Sequence, residues 1–341
     1  MLKGKYAFAA VLLLVATGAM ASNFRVADQV YLPAAGHLTG SRGETFVSDV
    51  WLSNVNNEAV DVSLIFASGT GGTLGSNLPV LHLAANEHRE MNDFITSIGL
   101  PNGTFGQFIF NGCKAGGNCD VNTCPNGQTT GVCPDFRNIS VESRIYAIPS
   151  GGGATSPTYG QLFSGIPWYN FVSSDAQGVG LDKVFITGLR NTGSGFGQNG
   201  TFRTNIGLVN ASQYSTTQLL VKLFDKNGAQ LGTYTSPTLG PLGQQQLPIS
   251  SMFSSFSGAT AVGAYVTVEQ ISVLPTPDAA AAGCQGGCPS FLAYGSLIDN
   301  GSDDPTTLES QYIAPLSDAA QQCIYNLNCK GTFKVRRTVH H

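Results

Sequence analysis

The sequence predicts an all-β chain made of two tandem β-sandwiches related by an internal repeat. The first observation is the repeat itself. Residues Thr45 to Asn54 read TFVSDVWLSN and residues Thr201 to Asn210 read TFRTNIGLVN, an offset of 156 positions. In each segment alternate residues are apolar: Phe46, Val50 and Leu52 fall on one face, as do Phe202, Ile206 and Leu208. Period two is the pattern of a strand with one buried face. The second observation is punctuation. Short apolar runs are separated by turns drawn from the 42 Gly and 16 Pro and from Asn and Ser, which is how sandwiches are spaced. The third is charge. Only 11% of the 341 residues are charged and 42% are hydrophobic, which excludes a coiled coil and a disordered chain.

Taken in order, residues 1–21 read as a signal peptide. Lys3 and Lys5 precede an apolar run from Tyr6 to Ala16, and Ala19-Met20-Ala21 supplies the small-x-small cleavage pattern. That run is too short to span a membrane as a helix, and no other stretch is long and apolar enough. The first repeat is expected over 22–149. It contains the Thr45–Asn54 strand, the alternating Val62, Leu64 and Phe66, a Phe105-Gly106-x-Phe108 segment, and a last strand from Ile139 to Ile148. Residues 150–180 read as a linker, opening on Gly, Ser and Pro and ending in an apolar stretch around Trp168 that can dock between the copies. The second repeat is expected over 181–301. Leu219, Val221, Leu223 and Val262-Gly263-x-Tyr265 follow their counterparts at an offset of 157. Asp225-Lys226-Asn227-Gly228 between two runs is a hairpin signal, because Asn-Gly accepts positive φ. Short helices are expected at Met91–Leu100 and at Ser317–Tyr325. The tail is 302–341.

The eight cysteines fall into three groups: Cys113, Cys119, Cys124 and Cys133; Cys284 and Cys288; Cys323 and Cys329. An even count in an exported chain favours disulfides, and the spacing of the first group lacks the paired Cys-x2-Cys knuckles of zinc ribbons. Local pairing is expected for 284–288 and 323–329, and the first group admits three connectivities. Cys133-Pro134-Asp135-Phe136 also matches Cys288-Pro289-Ser290-Phe291. The alternating T-F-x-[ST]-[DN]-[VI]-x-L-x-N strand and the duplicated turns resemble exported bacterial proteins built from tandem immunoglobulin-like β-sandwiches. The resemblance is architectural. The Cys…Trp…Cys spacing of antibody domains is absent, so it implies a fold and a place outside the cytoplasm but no ligand.

No reaction can be read from the chain. His37, His82 and His88 stand in no metal-binding spacing, there is no G-x-S-x-G elbow, and Gly193-Ser194-Gly195-Phe196-Gly197 lies between strands, where no helix follows to complete a phosphate cradle. Asp299, Asp303 and Asp304 form the densest acidic stretch. A solvated loop is the plain reading, and a weak calcium loop is the alternative, although the spacing is not that of an EF-hand. Trp51 and Trp168 are candidate ligand-contact aromatics, with burial under the neighbouring copy as the other reading of Trp51. The formal charge of −4 falls by two when Lys3 and Lys5 leave with the leader, so nucleic acid is a poor partner. The expectation is a secreted, periplasmic or cell-surface protein without catalytic activity that serves in adhesion or as an extracellular assembly subunit. Its partners would be proteins or copies of itself, and it needs no cofactor. A carbohydrate-binding module is the first alternative, and a hydrolase with an unrecognised site is the second.

Overall fold

The computed structural model describes residues 26–311 apart from 41, 70–77, 118, 120–134, 154–155, 157, 175–181, 194, 257–261 and 282–283. The leader, Cys124, Cys133, the Ser317–Tyr325 helix, Cys323 and Cys329 lie outside the described residues. The first copy contains β1 (Gln29–Thr39), β2 (Thr45–Asn54), β3 (Val60–Ser68), β4 (Leu81–Leu83), β5 (His88–Met91), the one-turn helix α1 (Phe94–Ser97), β6 (Thr104–Lys114), β7 (Ile139–Ile148), β8 (Tyr159–Ser164) and β9 (Ile166–Pro167). The second contains β10 (Lys183–Arg190), β11 (Phe202–Asn210), β12 (Ser215–Phe224), β13 (Gln230–Thr235), β14 (Gln244–Pro248), α2 (Ile249–Met252), β15 (Val262–Pro275), β16 (Phe291–Asp299) and β17 (Pro305–Glu309). The chain is all-β, and every ladder is antiparallel.

The duplication holds strand by strand. In the first copy, β4-β3-β6-β1 form one layer and β5-β2-β7-β8 the other, joined where the end of β1 pairs with β2. In the second copy, β13-β12-β15-β10 and β14-β11-β16-β17 repeat both orders. The apolar face of each layer packs on the other, and α1 and α2 push Phe94, Ile95 and Ile249 into the ends of the two cores.

The shared motif owes its polar letters to buried hydrogen bonds. Ser48 and Thr204 are buried, and each accepts a backbone N–H, from Gly36 and Arg190 respectively, beside a β-bulge in β1 or β10. The terminal Asn is a clamp. Asn54 Nδ2 donates to the carbonyls of Glu58 and Ala84, and its Oδ1 accepts from Asn56 N. Asn210 Nδ2 donates to Ser215 and Gly240, and its Oδ1 accepts from Ser212 N. A side chain with two donor hydrogens and an acceptor satisfies three backbone groups that no ladder reaches. The turns these clamps hold are also equivalent, with Asn86 at φ 56° and Leu242 at φ 54°.

The structure moves several sequence boundaries. β8 falls in the stretch assigned to a linker, and β17 falls in the stretch assigned to the tail. Both are edge strands of the sandwiches, and their short polar-flanked patterns carry little period-two signal. The first copy runs to β9, which pairs Ile166 with Tyr31, and the equivalent pair in the second copy is Gln311 with Phe185. Val172 already pairs with Phe291, as Ala27 pairs with Ile139, so hardly any chain separates the copies. Phe291 thus corresponds to Ile139, and Phe136, which bridges Cys113, is not its equivalent. The two F/V-G-x-F/Y segments are also out of step by one residue. Phe108 faces Phe66, but Leu223 faces Val266, and only Gly263 takes positive φ. Disulfides link Cys113 to Cys119 and Cys284 to Cys288.

Removing either clamp leaves buried carbonyls unpaired. Asn54→Ala and Asn210→Ala should each lower stability by about 2–3 kcal/mol in equilibrium urea unfolding. Asn138→Ala, at a residue that joins this network only through its backbone carbonyl, which accepts from Asn56 Nδ2, should change stability little.

Candidate functional site

The two sandwiches meet across a buried seam. β1 is buried on both faces along most of its length, and so is β16. The inner face of β1, with Val30 and Leu32, packs in its own sandwich. The outer face of its layer carries Tyr31, Ile109 and Gln107, all fully buried, and meets the outer face of β11 and β16. Val209, Ala211, Leu242, Leu292 and Tyr294 join the first copy's core there. Tyr31 meets Phe171 edge-on at 4.4 Å, and Phe163 meets Tyr294 edge-on at 5.3 Å. Gln107 Nε2 donates to the Leu242 carbonyl at 2.8 Å, which also anchors that left-handed turn. Gly207 is required beside Tyr294, because a Cβ at Gly207 would lie 2.2 Å from the ring. Burial pushes the Tyr294 hydroxyl well above the usual phenol range, and it stays protonated to donate to Gln246 Oε1 at 3.0 Å.

One side of the seam opens into a cleft of about 610 Å³, within the range of small-ligand sites at domain interfaces. A second hollow on the seam, beside Pro33 and Phe291, has only about 80 Å³. Phe46 and Phe105 from the first copy and Phe196 from the second supply aromatic wall. The Gly193–Gly197 loop brings Phe196 across the seam to lie 4.4 Å from the Arg42 guanidinium. The charges cancel. Asp303 is buried and accepts from both Arg42 and Arg203, and Glu44 accepts the Arg42 backbone N–H at 2.9 Å. Arg203 also donates to Asn300 Oδ1 at 2.6 Å.

Between these ion pairs stand amides with spare capacity. Gln161 is 7% exposed. Its Oε1 accepts from Ser296 Oγ at 2.7 Å, and its Nε2 has no partner. Asn205 Oδ1, also on the cleft, has none either. Interchanging the two ends of the Gln161 amide would still leave one arm unpaired. The cleft is therefore lined by a neutral mixture of amide and aromatic side chains, with the unpartnered Gln161 Nε2 and Asn205 Oδ1 buried in its wall.

The sequence-selected residues stand elsewhere or act differently. Trp168 is a structural wedge: its indole N–H donates to Asp28 at 2.9 Å and its ring packs on the first core. Trp51 is half-buried on the outer face of β2, away from the cleft and with no second copy over it among the described residues. The acidic stretch is tied into the protein's own hydrogen bonds. Asp299 Oδ1 caps the N–H groups of Gly301 and Ser302, Asp303 is held by two guanidiniums, and Asp304 points to solvent. Among the described residues no three His, Cys, Asp or Glu side chains converge on a metal position. His82 and His88 make surface hydrogen bonds to Asp61 and Ser53. Arg42, Gln161 and Arg203 were not singled out by the sequence. Arg203 did carry a signal, because it replaces the apolar Val47 within the repeated strand.

No family model matches the chain, and no curated protein matches it. Among solved structures it is similar to a β-glucuronidase from Bacteroides uniformis, at 11% identity and TM-score 0.15, covering 84% of this chain and 26% of that one. It is similar to the BSP domain of a biofilm-associated protein, at 11% identity and TM-score 0.18, covering 85% and 59%. A lectin from Pleurotus ostreatus in complex with GalNAc matches at 11% identity and TM-score 0.14, covering 89% and 84%. The chain thus spans about a quarter of the glucuronidase and under two thirds of the biofilm domain. Likenesses of this strength carry no argument about activity or ligand.

The seam gives two expected outcomes. Asp303→Ala strands two guanidiniums and should cost about 2–3 kcal/mol in urea unfolding, less than a fully buried pair because both arginines reach solvent. Gly207→Ala forces its methyl group into the Tyr294 ring and should cost a similar amount, and Tyr294→Ala made with it should restore most of the loss attributable to the clash.

Proposed function

We propose that this chain is a non-catalytic binding protein of the cell exterior, whose two locked sandwiches hold an uncharged, hydroxyl-rich ligand, a glycan, in the seam cleft. The observation that carries the reading is the unpartnered amide of Gln161, buried on a 610 Å³ cleft whose charges are internally neutralised. A buried amide arm without a partner costs free energy in the empty protein, and a ligand hydroxyl recovers it. Phe46, Phe105 and Phe196 give apolar faces on which the C–H faces of a sugar ring can lie, while Gln161 and Asn205 read its hydroxyls. The ion pairs around Asp303 hold the walls at a fixed distance, so that the site is formed before the ligand arrives. The two disulfides support a place outside the reducing cytoplasm.

A glycan array probed with the purified chain should return neutral oligosaccharides. Gln161→Ala and Asn205→Ala should each weaken the best array ligand about ten-fold or more by calorimetry, with the fold retained by circular dichroism, and Trp51→Ala should leave binding unchanged. An array blank for neutral and acidic glycans alike overturns the reading, and so does binding that depends on Trp51 instead of Gln161.

A further inference from the structure

We infer that the chain associates head to tail with further copies of itself, repeating between chains the contact that its two sandwiches make within one. This goes beyond the ligand reading and does not depend on it. The four layers stack in a repeating order. The β5-β2-β7-β8 layer lies outermost except at its β8 edge, which reaches β16 and β17 across the seam, then β4-β3-β6-β1, then β14-β11-β16-β17, then β13-β12-β15-β10. Each sandwich therefore turns the same two faces in the same two directions. One face of each is used at the seam, and its equivalent on the other sandwich is left free at an end of the molecule.

The face that the first copy gives to the seam is built on Tyr31, Ile109, Ala67 and Gln107, which are paired across strands. The equivalent pairings in the second copy are Phe185 with Thr267 and Phe224 with Tyr265. Phe224 stacks on Tyr265 at 4.9 Å with the planes 9° apart, and Phe185 lies 6.3 Å from Tyr265. Three half-exposed rings thus stand side by side on an outer sheet face, in the position where the first copy makes its intramolecular contact. Among the described residues nothing covers them.

The face that the second copy gives to the seam centres on Gly207 and Tyr294. Its equivalent at the other end centres on Trp51 and Glu142, which occupy the same paired positions on β2 and β7. Each face carries one ring at its centre, from β16 in the second copy and from β2 in the first. Val55, 46% exposed, stands where Ala211 is buried in the seam. Glu90 and Glu142 flank Trp51, and the opposing end face carries Lys183 and Lys222, the latter bonded to Glu269 at 2.5 Å. The ends are thus unlike: one carries Trp51 with Glu90, Glu142 and Arg144, the other three rings with Lys183 and the Lys222–Glu269 pair. An unlike-face contact that does not close on itself produces open strings of subunits. The free faces are more polar than the seam, so association should be weaker than the intrachain contact and should depend on concentration and salt.

Sedimentation of the purified full-length chain from micromolar to millimolar concentration should show a ladder of oligomers, with linear strings in negative-stain micrographs. Trp51→Ala and Tyr265→Ala should each reduce the association constant about ten-fold or more while the circular dichroism spectrum of the folded chain is retained. Each variant keeps one intact end. A mixture of the two should therefore form one-to-one dimers that grow no further, which a general loss of solubility or folding would not produce. A chain that stays monomeric at millimolar concentration overturns the inference, as does association indifferent to both substitutions or a mixture that polymerises like the parent.

Discussion

Burial of β1 and β16 on both faces is the constraint from which the rest of the structure follows. An antiparallel sandwich normally leaves one face of each sheet in water and alternates accordingly. Here Tyr31, Ile109, Val209 and Leu292 are apolar where that alternation calls for polar residues, and they can leave water only against another sheet. The first sandwich's core therefore extends across the seam to the outer face of β11 and β16, while the second sandwich keeps a core of its own behind that layer. The ion pairs about Asp303 join the two copies beside the cleft.

The same packing accounts for the places where the copies differ. Asn86 and Leu242 hold the same left-handed turn, but Asn tolerates that conformation and Leu does not readily. Leu242 is kept there because its side chain is fully buried in the seam and its carbonyl accepts from Gln107. Local strain at one turn is thus offset by contact with the other copy. Trp51 and Gly207 are a second such pair. The solvent-side copy carries the ring on β2, and the buried copy moves it to β16 and empties the β11 position to make room.

The proposed binding and the proposed association use different parts of the molecule. The cleft depends on the seam and on side chains from both copies, whereas the end faces each belong to one copy. Filling one leaves the other free, so a string of subunits can present a cleft on every member.

The period-two alternation and the repeated TFx[ST][DN] strand were enough to read the fold class, the duplication and the central strands, because a half-buried strand writes its buried face into every second residue. The Ser/Thr and Asn letters of the motif were legible as repeats, but their roles as clamps were not, since a hydrogen bond to a loop carbonyl leaves no spacing rule behind. The edge strands β8 and β17 were missed because short strands with mixed faces resemble loops. The cleft was decided by tertiary structure alone. Gln161, Asn205, Arg42 and Asp303 lie far apart in sequence, and only the seam brings them together. A residue pattern records which face of a strand is apolar, but it does not record which surface will cover that face, and here that surface placed every residue of the site.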